Sequence, residues 1–168
     1  MIYIVIRGHC QPNQSSTTVK IKKRDGRVVR LQKKPDESRN YQELIRHTAC
    51  DYMNRLKMAP LDGPVEARVV IYRKALATGS KAIREARKSG SVRPDTRPDI
   101  DNQLKAILDG LNGVAFGDDG QVCRVHLEKR FDDGKGERVE ITIRQWNPSG
   151  IGERWLDDYW HNHKGETR

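Results

Sequence analysis

A chain of 168 residues has room for one core of ordinary domain size, and 35% hydrophobic against 33% charged residues make that core modest beneath a heavily ionised surface. The formal charge of +9 points to a polyanionic partner, nucleic acid being the commonest, with a merely solubilising surface as the plain alternative. No apolar run approaches the roughly 18 residues of a membrane span, and the opening MIYIVIRGH turns polar too soon for a signal peptide.

Three widely spaced cysteines, Cys10, Cys50 and Cys123, argue against a disulfide framework and have no zinc-ligand spacing, so a reducing cytoplasm is the expected location. Residues 1–6 alternate as a strand, with Ile2, Ile4 and Ile6 on one face. A polar loop, GHCQPNQSST, follows. Residues 19–31 read as a hairpin turning at Asp25-Gly26, and residues 20–34 hold eight Lys or Arg, including Lys22 and Lys23, against one acid. This ribbon is expected to touch DNA backbone or simply to be solvated. Residues 38–58 predict a helix capped by Ser38, with Tyr41, Leu44, Ile45, Ala49, Tyr52, Met53 and Leu56 as its stripe. His47 and Cys50 within it have no partner at a ligand spacing.

Pro60 and Gly63-Pro64 lead into a strand, VEARVVIY, with Val65, Ala67, Val69 and Ile71 on one side. Residues 73–97 then carry eight Lys or Arg against two acids and are broken by Gly79, Gly90 and Pro94. They read as a mobile basic connector that orders on a polyanion, with a short helix over 80–88. Leu104, Ile107, Leu108 and Leu111 predict a helix starting at Asp101 or Asn102 and ending at Asn112-Gly113. Strands follow at 121–131 and 138–146, and their adjacency suggests an antiparallel hairpin. Beyond Pro148, Trp155, Leu156, Tyr159 and Trp160 have the spacing of one apolar helical stripe. His161 and His163 there are read as part of a terminal tail rather than as metal ligands. The expected division is a domain at 1–147 and an extension at 148–168.

The chemistry concentrates in residues 97–129. Asp99 and Asp101 stand one residue apart, and Asp118-Asp119 close the stretch at the mouth of a strand. Crowded carboxylates raise each other's pKa, and a divalent cation removes that cost. Magnesium, which suits hard oxygen ligands and one or two carboxylates, is the expected ion, with manganese as an alternative. Lys105, four residues after Asp101 on the same helix face, would stabilise a phosphate or orient water. Asp109, one turn further, reads as a surface pair for Lys105. The plain alternative makes Asp101 a helix cap and residues 118–120 a turn. A D-x-D pair alone is a weak signal; the second acidic pair, Lys105 and the basic setting strengthen it.

The run PDIDNQLKAILDGLNGV, followed by DDGQV and a strand ending in Lys129, resembles the RusA family of Holliday junction resolvases. The D-x-D-N helix, the lysine four residues on and the D-D-x-Q-V strand entry are all present. PLDGPVEARVVIY and YQELI extend a weaker likeness over residues 1–145. The resemblance implies a small α/β (α+β) fold with a mixed sheet and two main helices, intertwined as a homodimer. It implies magnesium-dependent paired nicking of four-way DNA junctions, with Asp99, Asp101 and Asp119 as catalytic metal-binding acids. Lys105 would be the catalytic lysine, with Asp118 beside the site and counted with the three acids as a metal-binding residue.

The chain departs from the family pattern in its long basic connector, in the tail after Trp146 and in the loose match of GHCQPNQ to a proline-rich basic opening. Lys22, Lys23, Lys81, Arg84, Arg93, Arg97 and Lys129 are the expected DNA contacts. Two other classes compete: a non-catalytic DNA-binding module, which the intact acids count against, and a metal-dependent nuclease for flapped DNA or RNA.

Overall fold

The computed structural model describes residues 1–22, 27–33, 35–75 and 78–147. The elements in chain order are β1 (Ile2–Arg7), β2 (Thr17–Lys22), β3 (Val28–Lys33), α1 (Asp36–Arg55), β4 (Val65–Arg73), α2 (Lys81–Ser89), α3 (Ile100–Leu111), β5 (Val122–Phe131) and β6 (Arg138–Gln145), with a 3-10 turn at Asp119–Gln121 before β5. The Asp25-Gly26 turn, Lys23 and the whole 148–168 extension with its aromatic stripe lie outside the described residues.

Period-two alternation builds the main sheet. Its order is β1-β6-β4-β5, with β1/β6 and β6/β4 antiparallel and β4/β5 parallel; β2 and β3 pair separately as an antiparallel ribbon. One face is apolar. Ile2, Ile4 and Ile6, then Val65, Ala67, Val69 and Ile71, then Val139, Ile141 and Ile143 are all buried, and α1 and α3 cover them. The hairpin expected between 121–131 and 138–146 does not form, because β4 lies between those strands. The link from β4 to β5 through α2 and α3 is long enough for a parallel crossover, so sequence neighbours are not sheet neighbours here.

The opposite face pairs charges. Glu66 is 1% exposed and accepts from the Arg144 guanidinium, with Arg124 3.7 Å away. Arg138 donates to Glu140 at 2.6 Å and to Asp133 at 2.9 Å, and lies 3.6 Å over the Tyr72 ring. Burial pushes the Tyr72 hydroxyl up to about 12. Glu128 receives Arg130, Arg93 and Arg68; burial alone would raise its carboxyl, but these cations hold it below its usual value. Removing one partner of such a buried pair would strand the other charge.

Two helix starts differ from expectation. Helix α1 begins at Asp36 after Pro35, so Ser38 is an interior residue, buried, whose hydroxyl donates to the Pro12 carbonyl at 2.7 Å and accepts from the Gln14 N–H at 3.0 Å. Pro35 stands at the N-cap and offers no side-chain cap, and Ser38 ties the N-terminal loop down instead. Tyr41, Ile45, Ala49 and Met53 are buried as expected, whereas Leu44 and Leu56 are exposed. Helix α3 begins at Ile100 with Asp99 as N-cap, one or two residues earlier than the hydrophobic stripe indicated. It meets α1 closely at Gly110, where a Cβ would stand 2.8 Å from Ile45 Cβ.

The basic stretch 78–98 carries the short helix expected over 80–88, observed as α2, and is tied to the sheet. Ser80 caps α2 by accepting from Ile83 N–H, and Gly90 ends it in the left-handed conformation at φ 80°. Arg87 lies over the Phe131 ring at 5.5 Å, and Arg93 pairs with Glu128 at 3.4 Å.

Candidate active site

The approach to Asp99 is braced from the sheet. Lys129 Nζ donates to the Thr96 carbonyl at 3.0 Å and to the Pro98 carbonyl at 3.3 Å. Arg73, at the end of β4, donates to the same Thr96 carbonyl and to that of Arg97. Two cations from neighbouring strands thus fix three consecutive carbonyls and aim the next residue, Asp99, at the start of α3. Lys129 therefore braces the acidic loop through these two carbonyls. Arg73 carries no motif, and only the strand register (Ile71 opposite Lys129) brings it here.

Asp99 occupies the N-cap position but its side chain makes no cap hydrogen bond. Asp101 is exposed in the first turn of α3, and among the described residues neither carboxylate has a hydrogen bond or ion pair. Asp119 is likewise exposed and unpartnered among them. Asp118 is committed to structure. Its Oδ1 accepts from Gly120 N–H at 2.8 Å while its own N–H donates to Gln121 Oε1 at 2.9 Å, a reciprocal capping box. Gln121 Nε2 in turn donates to the Gly63 carbonyl at 2.8 Å, holding this turn to the beginning of β4.

These anchors set the spacing of the acids. Asp99 directly follows the carbonyls that Arg73 and Lys129 hold at the ends of β4 and β5, whereas Asp119 precedes Gln121, which is bonded to Gly63, and Val122, which pairs with Val65 at their beginnings. The 12 residues of α3 run between them, about 18 Å of helix. Within one chain Asp99 and Asp101 share the start of α3, and Asp119 follows in the turn beyond its other end. Among the described residues no three His, Cys, Asp or Glu side chains are grouped to hold a metal. Asp99 and Asp101 still offer the hard, unpartnered oxygen donors that magnesium takes one or two at a time, alongside water and phosphate.

Lys105 Nζ stands 3.5 Å from Asp109 Oδ1, the i,i+4 pair expected from spacing. Asp109 has more support than a surface pair. Its Oδ2 accepts from Gln42 Nε2 of α1 at 2.8 Å and from Asn13 Nδ2 of the N-terminal loop at 3.4 Å. The loop is stitched to α3 again where Asn13 N–H meets the Asn102 carbonyl at 2.8 Å and Gln103 Nε2 meets the Cys10 carbonyl at 3.1 Å. Burial pushes the Cys10 thiol up to about 11, so it packs as a neutral group. Neither Asn13 nor Gln42 stands out in the sequence, since a lone amide has no pattern.

Lys81, Arg84 and Lys88 are exposed at i, i+3 and i+7 of α2, and Arg97 and Lys22 are exposed. Arg93 is held by Glu128. No helix among the described residues is long and apolar enough to cross a membrane.

The class that these features define is a mixed α+β protein with an acid pair at a helix start, a lysine one turn on and a basic flank. The match to the family model for Endodeoxyribonuclease RusA covers residues 11–144, and the chain belongs to that family. It is also similar to Uncharacterized protein YqaN of Bacillus subtilis (strain 168), 36% identical over 87 residues. That match takes in 51% of this chain and 60% of the relative's length.

Proposed function

We propose that this chain is a magnesium-dependent endodeoxyribonuclease that resolves four-way DNA junctions as a homodimer, by paired phosphodiester hydrolysis in recombination or repair. The observation that carries this reading is the set of exposed carboxylates, Asp99, Asp101 and Asp119, without partners among the described residues of a protein of net charge +9. Against DNA phosphate such acids are unfavourable unless a cation lies between.

Asp99 and Asp101 would hold magnesium from one protomer. Magnesium–oxygen contacts of about 2.1 Å cannot span the length of α3, so the third acid would be Asp119 of the partner subunit. A two-fold dimer repeats one patch on both copies and so makes two equivalent sites, as two symmetric cuts require. When bound, magnesium supplies Lewis-acid stabilisation of the phosphate and makes water a better nucleophile. Lys105 places a point charge against the negative charge that grows on the phosphate and leaving oxygen. Arg73 and Lys129 keep the Asp99 loop from relaxing, and the Asp118 cap does the same for Asp119.

Lys81, Arg84 and Lys88 would follow the DNA backbone, with Arg97 and Lys22. Replacing the three α2 cations by Ala should weaken junction binding and flatten its salt dependence. The slope of log K against log salt should fall by about 0.9 for each phosphate that is no longer neutralised. An unchanged slope in a binding titration across salt would remove α2 from the interface.

The deciding experiment is cleavage of a labelled four-way junction with and without magnesium, for the natural protein and Asp101→Asn. Symmetric nicks are expected only with metal, and lost in the variant while binding persists. Cleavage that survives Asp101→Asn would refute the site, and binding without cleavage under any divalent metal would refute the enzyme. Competition among four-way, flap and duplex DNA tests the substrate.

A further inference from the structure

The Asp109 carboxylate is built into the fold more firmly than an i,i+4 surface pair needs. Such a pair alone, with Lys105 60% exposed, would be worth little and would wander. Here the carboxylate is half-buried, and its Oδ2 is fixed by donors from two other segments, Gln42 on α1 and Asn13 on the N-terminal loop. Oδ1 stands 3.5 Å from the Lys105 ammonium. Asn13 keeps this contact although its own Oδ1 is buried without a partner, an arrangement that costs free energy. Asn13 N–H also holds the Asn102 carbonyl, so the same loop steadies the turn of α3 that carries Asp101.

We infer that Asp109, bracketed by Gln42 and Asn13, is a positioning residue that directs the Lys105 ammonium toward the reacting phosphate. The inference rests on the reading of Lys105 above. The carboxylate acts on the lysine's orientation and does not touch the substrate. A flexible ammonium must otherwise be ordered during the reaction, and misplacement by about 1 Å can lower a rate by about a hundredfold. The bracket supplies that order before DNA binds. It also couples three segments, so the lysine is aimed correctly only when the N-terminal loop is docked.

The test is a double-mutant cycle on junction cleavage, with kcat and KM measured separately. Asp109→Asn keeps the shape and loses the charge. It should lower kcat about 10- to 100-fold with KM nearly unchanged, and should slow Lys105→Ala no further. Gln42→Leu, which removes one donor and leaves Asp109 in place, should give a smaller kcat loss that also vanishes in the Lys105→Ala background. It keeps the idea testable if Asp109→Asn does not fold. Losses that multiply on top of Lys105→Ala, or that fall in KM alone, would overturn the inference while leaving Lys105 catalytic. Full activity of Lys105→Ala would instead overturn the role of the lysine, and the positioning role with it.

Discussion

Mixing Asp101→Asn protein with Asp119→Asn protein should restore junction cleavage that neither variant has alone. The expectation follows from the separation of the acids by the length of α3 and from the proposed two-fold dimer. In a heterodimer, one composite site carries both substitutions and is dead; the other takes intact Asp99 and Asp101 from one protomer and intact Asp119 from the other. After free subunit exchange about half the dimers are mixed, each with one working site, so nicking should return to about a quarter of the natural level. Single nicks should outnumber paired ones, because no mixed dimer has two working sites. The measurement is cleavage of a labelled junction by the two variants after co-refolding. If all three acids of a site came from one chain, both protomers of every mixed dimer would be dead, and no activity would return.

Gly110→Ala should destabilise the fold even though alanine is the better helix former. The new Cβ would stand 2.8 Å from Ile45 Cβ, 2.9 Å from Ile45 Cγ2 and 3.0 Å from the Gln42 carbonyl oxygen. None of these atoms is the end of a flexible chain: Ile45 is fully buried and β-branched, and the oxygen belongs to the backbone of α1. Propensity returns up to about 1 kcal/mol, whereas overpacking at such contacts costs about 1–3 kcal/mol. The clash is expected to win, with a net loss of about 1 kcal/mol and a Tm lower by about 2–4 °C. Cleavage should fall as well, since Gln42 and Asp109 flank this contact. A thermal melt decides it, and an unchanged or raised Tm would mean that α1 and α3 can separate at little cost.

Much of this molecule is legible in the order of its residues. Period-two alternation locates β1, β4 and β6, and the 3.6-residue period locates α1 and α3, because burial on one face imposes those repeats directly. Strand β5 is legible from its composition, although its apolar-parity residues Cys123 and Val125 are exposed. Ser80 and Gly90 announce the ends of α2 by the same local logic of caps. The short motifs announce the family, since acids, lysine and strand entry stand at fixed offsets on one helix and one turn.

What the chain order hides is everything set by distance in space. Strand adjacency suggests a β5–β6 hairpin, and only the sheet shows β4 inserted between them. By charge alone Lys129 reads as a DNA contact, and only the fold shows its ammonium on the Thr96 and Pro98 carbonyls. By position alone Ser38 reads as a cap, yet its hydroxyl ties down the N-terminal loop. The elements, their buried faces and the residue types of the acidic motif depend on neighbours within a turn or two, so residue order suffices for them. Which acids stand together, and that Asn13, Gln42 and Arg73 attend them, emerges only in three dimensions. Those contacts cross tens of residues, and no local periodicity records them.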